Sequence, residues 1–387
     1  MRRMVKRLLA SLGLSAVLGG LLSVGVSPAH ASDEITYTWS EPRWVITEEL
    51  MGVTVSDMVF AGVNSGGFID KAGNLRVIFS SGEGAKSKKS VISRDGGVTF
   101  QVDTAFSFPS GGKEGLGHFS FTSAHEGGFR GFIRDDVGIL SVFSVDGQTW
   151  QSEPGYRVLV SAVGVEGVDG GAVVKLPNGK YRMFIGDESS YFRVCASARP
   201  VSTLIRSATS SDQLNWTMDP GYRLGPELSP LCKLHPHGFI DSNKDIIAVF
   251  HMNNDVSRAN TDGWGGSCFF GRSVDGYTFK SLERIPVGLK VRKGPEIYAG
   301  DCDVVVMPDK TLRLFFSNSG LVGMSVGTPR VTITCQKGTK KKSVSGQTPK
   351  CPAGYGRVLT LNCVKGDTVK RVSALKPVCP KGYRKGT

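Results

Sequence analysis

One short phrase occurs four times in this chain and constrains its fold more than any other feature. It reads Ser93-Arg94-Asp95-Gly96-Gly97-Val98-Thr99-Phe100, Ser144-Val145-Asp146-Gly147-Gln148-Thr149-Trp150, Ser210-Ser211-Asp212-Gln213-Leu214-Asn215-Trp216 and Ser273-Val274-Asp275-Gly276-Tyr277-Thr278-Phe279. Each copy lies between two extended runs, so the Asp-Gly step predicts a hairpin turn whose amides are capped by the Ser and Asp side chains. The terminal Trp or Phe then packs the next strand onto its neighbour. The serines stand 51, 66 and 63 residues apart, the spacing of propeller blades carrying loop insertions. The first copy is one residue longer than the others, and the third has Gln213 where the others have glycine.

The phrase resembles the Asp box, Ser-x-Asp-x-Gly-x-Thr-Trp, of the sialidase-like (BNR repeat) propellers. That resemblance implies an all-β fold in which the box holds each blade together on the face opposite the ligand. The residues between the copies agree: inner hairpins are predicted at 67–79, 118–133, 171–184, 238–250 and 303–316. Five hairpins accompany four boxes, and only 321–326 remains to complete the fifth blade. The N-terminal segment 36–46, with a strand ending in Thr38-Trp39, supplies the missing outer strand. The expectation is a β-propeller of five four-stranded blades closed by the N-terminal strand, which removes free sheet edges.

Charge divides the chain. Arg2, Arg3, Lys6 and Arg7 precede an apolar run to about Val26, and Ala29-His30-Ala31 offers small residues for cleavage, so residues 1–31 read as a secretory signal peptide. An uncleaved anchor is the other reading. Residues 331–387 carry thirteen Lys and Arg against the single acid Asp367, a net +12, while the signal carries +4. The body, 32–330, is therefore about −3 out of the total of +13, and the basic character belongs to the tail.

The tail is two 28-residue repeats, each with one Cys pair separated by 16: Cys335 with Cys351, and Cys363 with Cys379. In an exported chain this reads as one disulfide per unit, each worth about 3 kcal/mol. The tail resembles those of secreted actinobacterial proteins, which implies surface or wall association. Its charge makes anionic cell-wall polymers the expected partner, through salt-sensitive attraction. Nucleic acid is excluded as a partner because no aromatic stacking pattern accompanies the charge. In the body, Cys195 with Cys232 and Cys268 with Cys302 are the expected pairs, among three possible connectivities.

Candidate chemistry gathers where the innermost strands begin. Glu114 and His118, Glu166 and Asp169, Glu227, His235 and His237, then Glu296, Asp301 and Asp303 all fall there. A glycosidase needs two carboxylates about 5–9 Å apart across the scissile bond, one as acid and the other as base or nucleophile. Inner strands converging on a ring axis can deliver that from different blades. The candidate catalytic set is Asp169, Glu166, Glu227, Asp301 and Asp303, and Asn64, His118, His235, His237, Arg193 and Trp264 are candidate substrate contacts. His235 and His237 share a face of an extended strand. No metal or other cofactor is expected.

The blade pattern over residues 35–330 also resembles five-bladed arabinanase- and invertase-type glycosidases. In those enzymes the first blade opens with a catalytic Asp, and the matching stretch here is Asn64-Ser65-Gly66-Gly67, with Ser65 at that position. The sialidase arginine clamp begins at an Arg-Ile-Pro before the first box. Here Arg284-Ile285-Pro286 follows the fourth, where an outer strand belongs. Two functions stay open: a secreted, monomeric glycoside hydrolase acting on glycans or polysaccharide, or a non-catalytic glycan- or surface-binding propeller held at the envelope by its tail.

Overall fold

The predicted hairpins fold into a succession of antiparallel sheets. A computed structural model describes residues 34–52, 66–81, 87–109, 119–164, 167–187, 205–224, 232–240, 246–253, 266–279, 282–290, 297–298, 300–318 and 321–386. The chain opens with β1 (Glu34–Trp39) and β2 (Arg43–Ile46). Blade one is β3 (Gly66–Ile69), β4 (Leu75–Ser81), β5 (Ser87–Ser93) and β6 (Gln101–Val102). Blade two is β7 (Phe119–Ser123), β8 (Phe129–Arg134), β9 (Gly138–Ser144) and β10 (Gln151–Ser152), with β11 (Val158–Leu159) also pairing to β9. Blade three is β12 (Val168–Lys175), β13 (Tyr181–Asp187), β14 (Ile205–Ser210) and β15 (Thr217–Met218). Blade four is β16 (Cys232–Ile240), β17 (Ile246–Asn253), β18 (Gly266–Ser273) and β19 (Leu282–Arg284). A short pair, β20 (Leu289–Lys290) and β21 (Ile297–Tyr298), leads to the fifth blade's β22 (Gly300–Val306), β23 (Leu312–Asn318) and β24 (Leu321–Lys337).

The ring closes as the sequence predicts. The fourth strand of blade five is β1, running antiparallel to β24 from Trp39 opposite Gly327 to Glu34 opposite Thr332. Innermost strands touch in cyclic order: β3 with β7, β7 with β12, β12 with β16, β16 with β22, and β22 with β3. The fold is thus an all-β propeller of five blades.

The core lies between blades, and an aromatic contact spans each seam. Trp150 of blade two sits 5.9 Å from Phe68 of blade one, Trp216 of blade three 5.9 Å from Phe132, and Phe279 of blade four 5.8 Å from Phe184. Phe100 of blade one meets Phe315 of blade five at 6.3 Å. The fifth contact comes from β1, where Trp39 lies 5.9 Å from Phe270 of blade four. Each pair contributes about 0.5–1.5 kcal/mol beyond its buried area, so the N-terminal strand supplies a seam as well as an edge.

The repeated turns have one hydrogen-bond pattern. Ser93 Oγ donates to Asp95 Oδ1 and accepts the Gly97 N–H, both at 2.7 Å, and Asp95 accepts the amides of Val98 and Thr99. In the shorter copies Ser144, Ser210 and Ser273 accept the amides of Gly147, Gln213 and Gly276 at 2.8, 2.8 and 2.9 Å. The Thr99 hydroxyl and then its amide hold the Asp95 carboxyl well below the usual range. At Asp146, Asp212 and Asp275 partial burial pushes upward, but hydrogen bonds from the turn amides outweigh it and these carboxyls are lowered too. A depressed folded pKa gives stability that is complete above the unfolded value, near 3.8, and is lost as pH falls through the folded one. The urea midpoint should therefore hold from neutral pH down to about 5 as far as these groups are concerned and drop below about 4. Asp→Asn replacement at all four turns should flatten that acid limb.

The missing glycine of the third turn has a physical reason. Gln213 takes φ +64°, where Gly147 and Gly276 have +81° and +66°. Its Oε1 accepts from the His125 amide at 2.8 Å and from Arg130 Nη1 at 3.0 Å, and its Nε2 donates to the Ser123 carbonyl at 3.0 Å. The side chain bolts blade three to blade two. Gln213→Gly relieves the left-handed backbone but strips three buried hydrogen bonds, so a net loss of about 1–3 kcal/mol is expected by urea unfolding.

Arginine recurs as the second residue of the second strand in blades one, two, three and five. Arg76 pairs with Asp70 at 2.9 Å and with Asp103, Arg130 with Glu153 at 2.7 Å and with Glu126, and Arg182 with Asp219 at 3.1 Å. Three of them also reach the repeat turn of the following blade: Arg130 donates to Gln213 Oε1 at 3.0 Å, Arg182 to Asp275 O at 2.8 Å and Arg313 to Gly96 O at 2.7 Å.

Beyond blade five the chain continues in β24 without a break across residue 330. There β25 (Lys340–Gly346) and β26 (Gly356–Arg357) flank its far end, while β27 (Leu359–Lys365), β28 (Thr368–Ala374) and β29 (Arg384–Lys385) form a separate sheet of the same design. Cys335 lies opposite both Lys342 and Arg357, and Cys363 opposite both Lys370 and Lys385. Disulfides join Cys335 to Cys351 and Cys363 to Cys379. The second unit rests on the inner hairpin of blade three: Asp367, the tail's one acid, pairs with Lys180 at 2.8 Å, and Arg384 donates to Asn178 O at 3.1 Å. Cys268 bonds Cys302, tying blade four to blade five, while the expected Cys195–Cys232 pair lies outside the described side chains. Among the described residues, no helix is long and apolar enough to cross a membrane.

Candidate functional site

Three successive innermost strands carry an irregularity at the same level. In β12 the register shifts between Gly170 and Ala172, in β16 between Leu234 and His237, and in β22 between Gly300 and Asp303. The extra residues oppose Ile185, Phe250 and Phe316, each the fifth residue of its blade's second strand. The local sequences account for these bulges. Gly170 and Gly171 adopt φ +85° and +114°, Pro236 cannot donate to a ladder, and Asp301 sits at φ +43°. Gly170 is also required by contact, because a Cβ there would lie 2.9 Å from the Pro236 ring of the next blade.

The bulges set one residue per blade at a common level. Gly66, Ser120, Ala172, His237 and Asp303 each pair with the fourth residue of their second strand. Ser120 Oγ donates to Gly171 O at 2.8 Å, linking blades two and three. His237 Nδ1 lies 2.5 Å from Asp303 Oδ1, linking blades four and five, and the Gly67 amide donates to Asp303 Oδ2 across the closing seam. Asp303 is 2% exposed.

Of the residues singled out in the sequence, His237 and Asp303 are brought together. Asp301 is half-buried and accepts from Ser317 Oγ at 2.9 Å. Asp169 lies in β12 opposite Gly186, one position before the Gly170-Gly171 bulge, and His235 lies in the bulge of β16. For these two the backbone is described. Asn64, His118, Glu166, Arg193, Glu227 and Trp264 lie outside the described residues, as do Glu114 and Glu296. Arg284, of the Arg-Ile-Pro phrase, ends the outer strand β19.

Two further groups stand at the ends of strands on the side where the innermost strands begin. Asp187 closes β13 opposite Val168, next to Asp169 in the ladder, and is buried with Arg206 Nε 3.9 Å away. Lys88 near the start of β5 donates to Ser80 Oγ at 2.6 Å, and burial pushes its ammonium down to about 8. Neither has a sequence signal beyond its place beside a predicted loop. Among the described residues no group of three or more His, Cys, Asp or Glu could hold a metal ion.

No protein-family profile and no curated protein matches the chain. Solved structures do. A candidate glycosidase from Bacteroides thetaiotaomicron is similar over 74% of this chain and 91% of its own, with a TM-score of 0.52 at 16% identity. A structure from the GH130 family of mannoside phosphorylases, described as containing glycoside hydrolases that target β-1,2-mannosidic linkages in Candida mannan, matches over 69% of this chain and 84% of its own, with a TM-score of 0.50 at 16% identity. An α-L-arabinanase of Penicillium chrysogenum matches over 83% and 86%, at 13% identity and a TM-score of 0.45. At these identities the likeness is one of fold: the chain shares its propeller with glycoside hydrolases.

Proposed function

We infer that this chain is a secreted glycoside hydrolase acting on glycans or polysaccharide at the axis of its propeller. One observation carries the reading: three adjacent innermost strands bulge at one level, with His235 and Asp301 in the bulges, His237 and Asp303 directly after them, and Asp169 one ladder position before the bulge of its own strand. Two carboxylates from different blades, drawn from Asp169, Glu166, Glu227 and Asp301, act as acid and as base or nucleophile, a division that needs a separation of about 5–9 Å. Asn64, His118, His235, His237, Arg193 and Trp264 are the substrate contacts. The repeat turns relate the chain to the sialidase-like propellers. It is exported after cleavage near Ala31, acts as a monomer, and uses its tail of +12 to meet anionic cell-wall polymers.

A second reading, glycan binding without turnover, draws on Ser65, which stands where five-bladed glycosidases place a catalytic Asp. The experiment is hydrolysis of chromogenic glycosides, arabinan, mannan and sialylated glycans by the full-length secreted chain, with binding to the same glycans measured alongside. Turnover of any of them supports the enzyme. Binding without turnover replaces it by the second reading, and neither result removes both.

A further inference from the structure

We propose that His237 reads a sugar hydroxyl at the propeller axis, and that Asp303 is the positioning residue which fixes the imidazole tautomer for that task. The inference rests on the reading of a glycan site at the axis and assigns Asp303 a role other than reacting carboxylate.

Asp303 Oδ2 takes the Gly67 N–H, and Oδ1 has no hydrogen-bond donor in line while lying 2.5 Å from His237 Nδ1. A buried acceptor without a donor keeps its full desolvation cost. Placing the imidazole proton on Nδ1 is what relieves it, because a small turn of the ring brings that N–H onto Oδ1. A neutral imidazole with its proton on Nδ1 has Nε2 as an acceptor. Nε2 has no partner among the described residues and is not one of the polar atoms sealed from solvent, the side chain being 12% exposed.

Position supplies the second half. His237 follows the His235-Pro236 bulge, and its level of the ring otherwise holds Gly66, Ser120 and Ala172, all small. The imidazole is the one large side chain there besides Asp303, and in its neutral Nδ1–H form the free nitrogen accepts. It suits a ligand that brings an O–H donor, as every sugar does. A strut alone would not need an open Nε2.

The test has two arms on the full-length chain. In the first, imidazole ¹⁵N spectra are recorded, with the His237 signals assigned by their loss in His237→Gln. The wild type is expected to show the proton on Nδ1. In Asp303→Asn the amide must offer its oxygen to the Gly67 N–H and its NH₂ to His237, so the proton is expected to move to Nε2. A wild-type proton on Nε2 overturns the proposal. In the second arm, affinity for β-1,2-mannobiose, arabinobiose and 3′-sialyllactose is measured. For whichever binds, His237→Gln is expected to weaken affinity about tenfold, the scale of one lost hydrogen bond, with the unfolding midpoint near wild type. Unchanged affinity in a folded His237→Gln protein overturns this inference and leaves the glycan site standing. If none of the three binds the wild type and no glycan of the wider panel does, the axial-site reading falls and this inference with it.

Discussion

Replacing Arg130 by methionine should destabilise the propeller by about 3–5 kcal/mol. The guanidinium is fully buried and makes five hydrogen bonds to three residues at once. It donates to Glu153 through Nε at 2.7 Å and Nη2 at 2.8 Å, to Gln213 Oε1 at 3.0 Å, and to Glu126 through Nη1 at 3.2 Å and through Nη2. Its removal leaves Glu153, largely buried, with Ser141 Oγ at 2.6 Å as its one hydrogen-bond donor among the described residues, and cuts one bond of the Gln213 bridge to blade three. Burial of the cation is itself unfavourable, yet the two carboxylates outweigh it and the Arg130 charge is held more firmly than usual. Methionine keeps the stem's packing, so the measured loss belongs to the charge network. Adding Glu153→Gln to the variant should recover part of it, since the orphaned carboxylate is then neutral. A loss below about 1 kcal/mol in the single variant would show that the network relaxes around water instead.

The contrast with the exposed tail pair is instructive. Lys180 and Asp367 are separated by a similar distance, 2.8 Å, but their side chains are 44% and 73% exposed, so their pairing is worth at most about 1 kcal/mol. What holds the tail's second unit on blade three is the accumulation of that pair, the Arg384 hydrogen bond and the seat of Gly386 against Pro177.

The fold was readable from residues because its periodicity is written locally. Each turn phrase carries its own capping groups within four residues, and Thr38-Trp39 repeats the ending of that phrase at the other end of the chain, which is why the closing strand could be placed. The bulges could not be placed this way. Gly170-Gly171 hints at one, but His235-Pro236 and Asp301-Cys302 share no residue type with it or with each other, and equivalence emerges only when register against the second strands is known. The contact of His237 with Asp303 joins residues 66 apart through ring closure, and no local pattern encodes it. The arginine and acid pairs were visible in principle: an acid falls three residues after the turn aromatic at Asp103, Glu153 and Asp219, and an arginine stands second in each facing strand. Blade four shows the converse, with Ile247 in the arginine's place and Glu283 left exposed.

Asp169→Asn should lower kcat by about 10²–10⁴-fold with the fold intact, provided a glycan substrate is turned over, because that is the range that acid–base groups contribute. Asp169 is favoured over the other carboxylates by its place. It stands in the ladder opposite Gly186, immediately before two left-handed glycines that turn the strand at the axis, and next to the blade-three end that also carries Asp187. The exchange preserves shape and removes only the ability to ionise, so KM should change far less than kcat. Asp187→Asn is the control for charge nearby: its carboxyl is buried beside Arg206, and its loss should cost stability before it costs turnover. If Asp169→Asn retains full kcat while Asp301→Asn loses it, the acid–base work passes from blade three to blade five, on the strand whose bulge holds Asp301 at φ +43°. If both variants and Glu227→Gln turn over substrate at the wild-type rate, Asp169, Asp301 and Glu227 are not the chemical machinery, and the bulged ends of these strands serve binding alone.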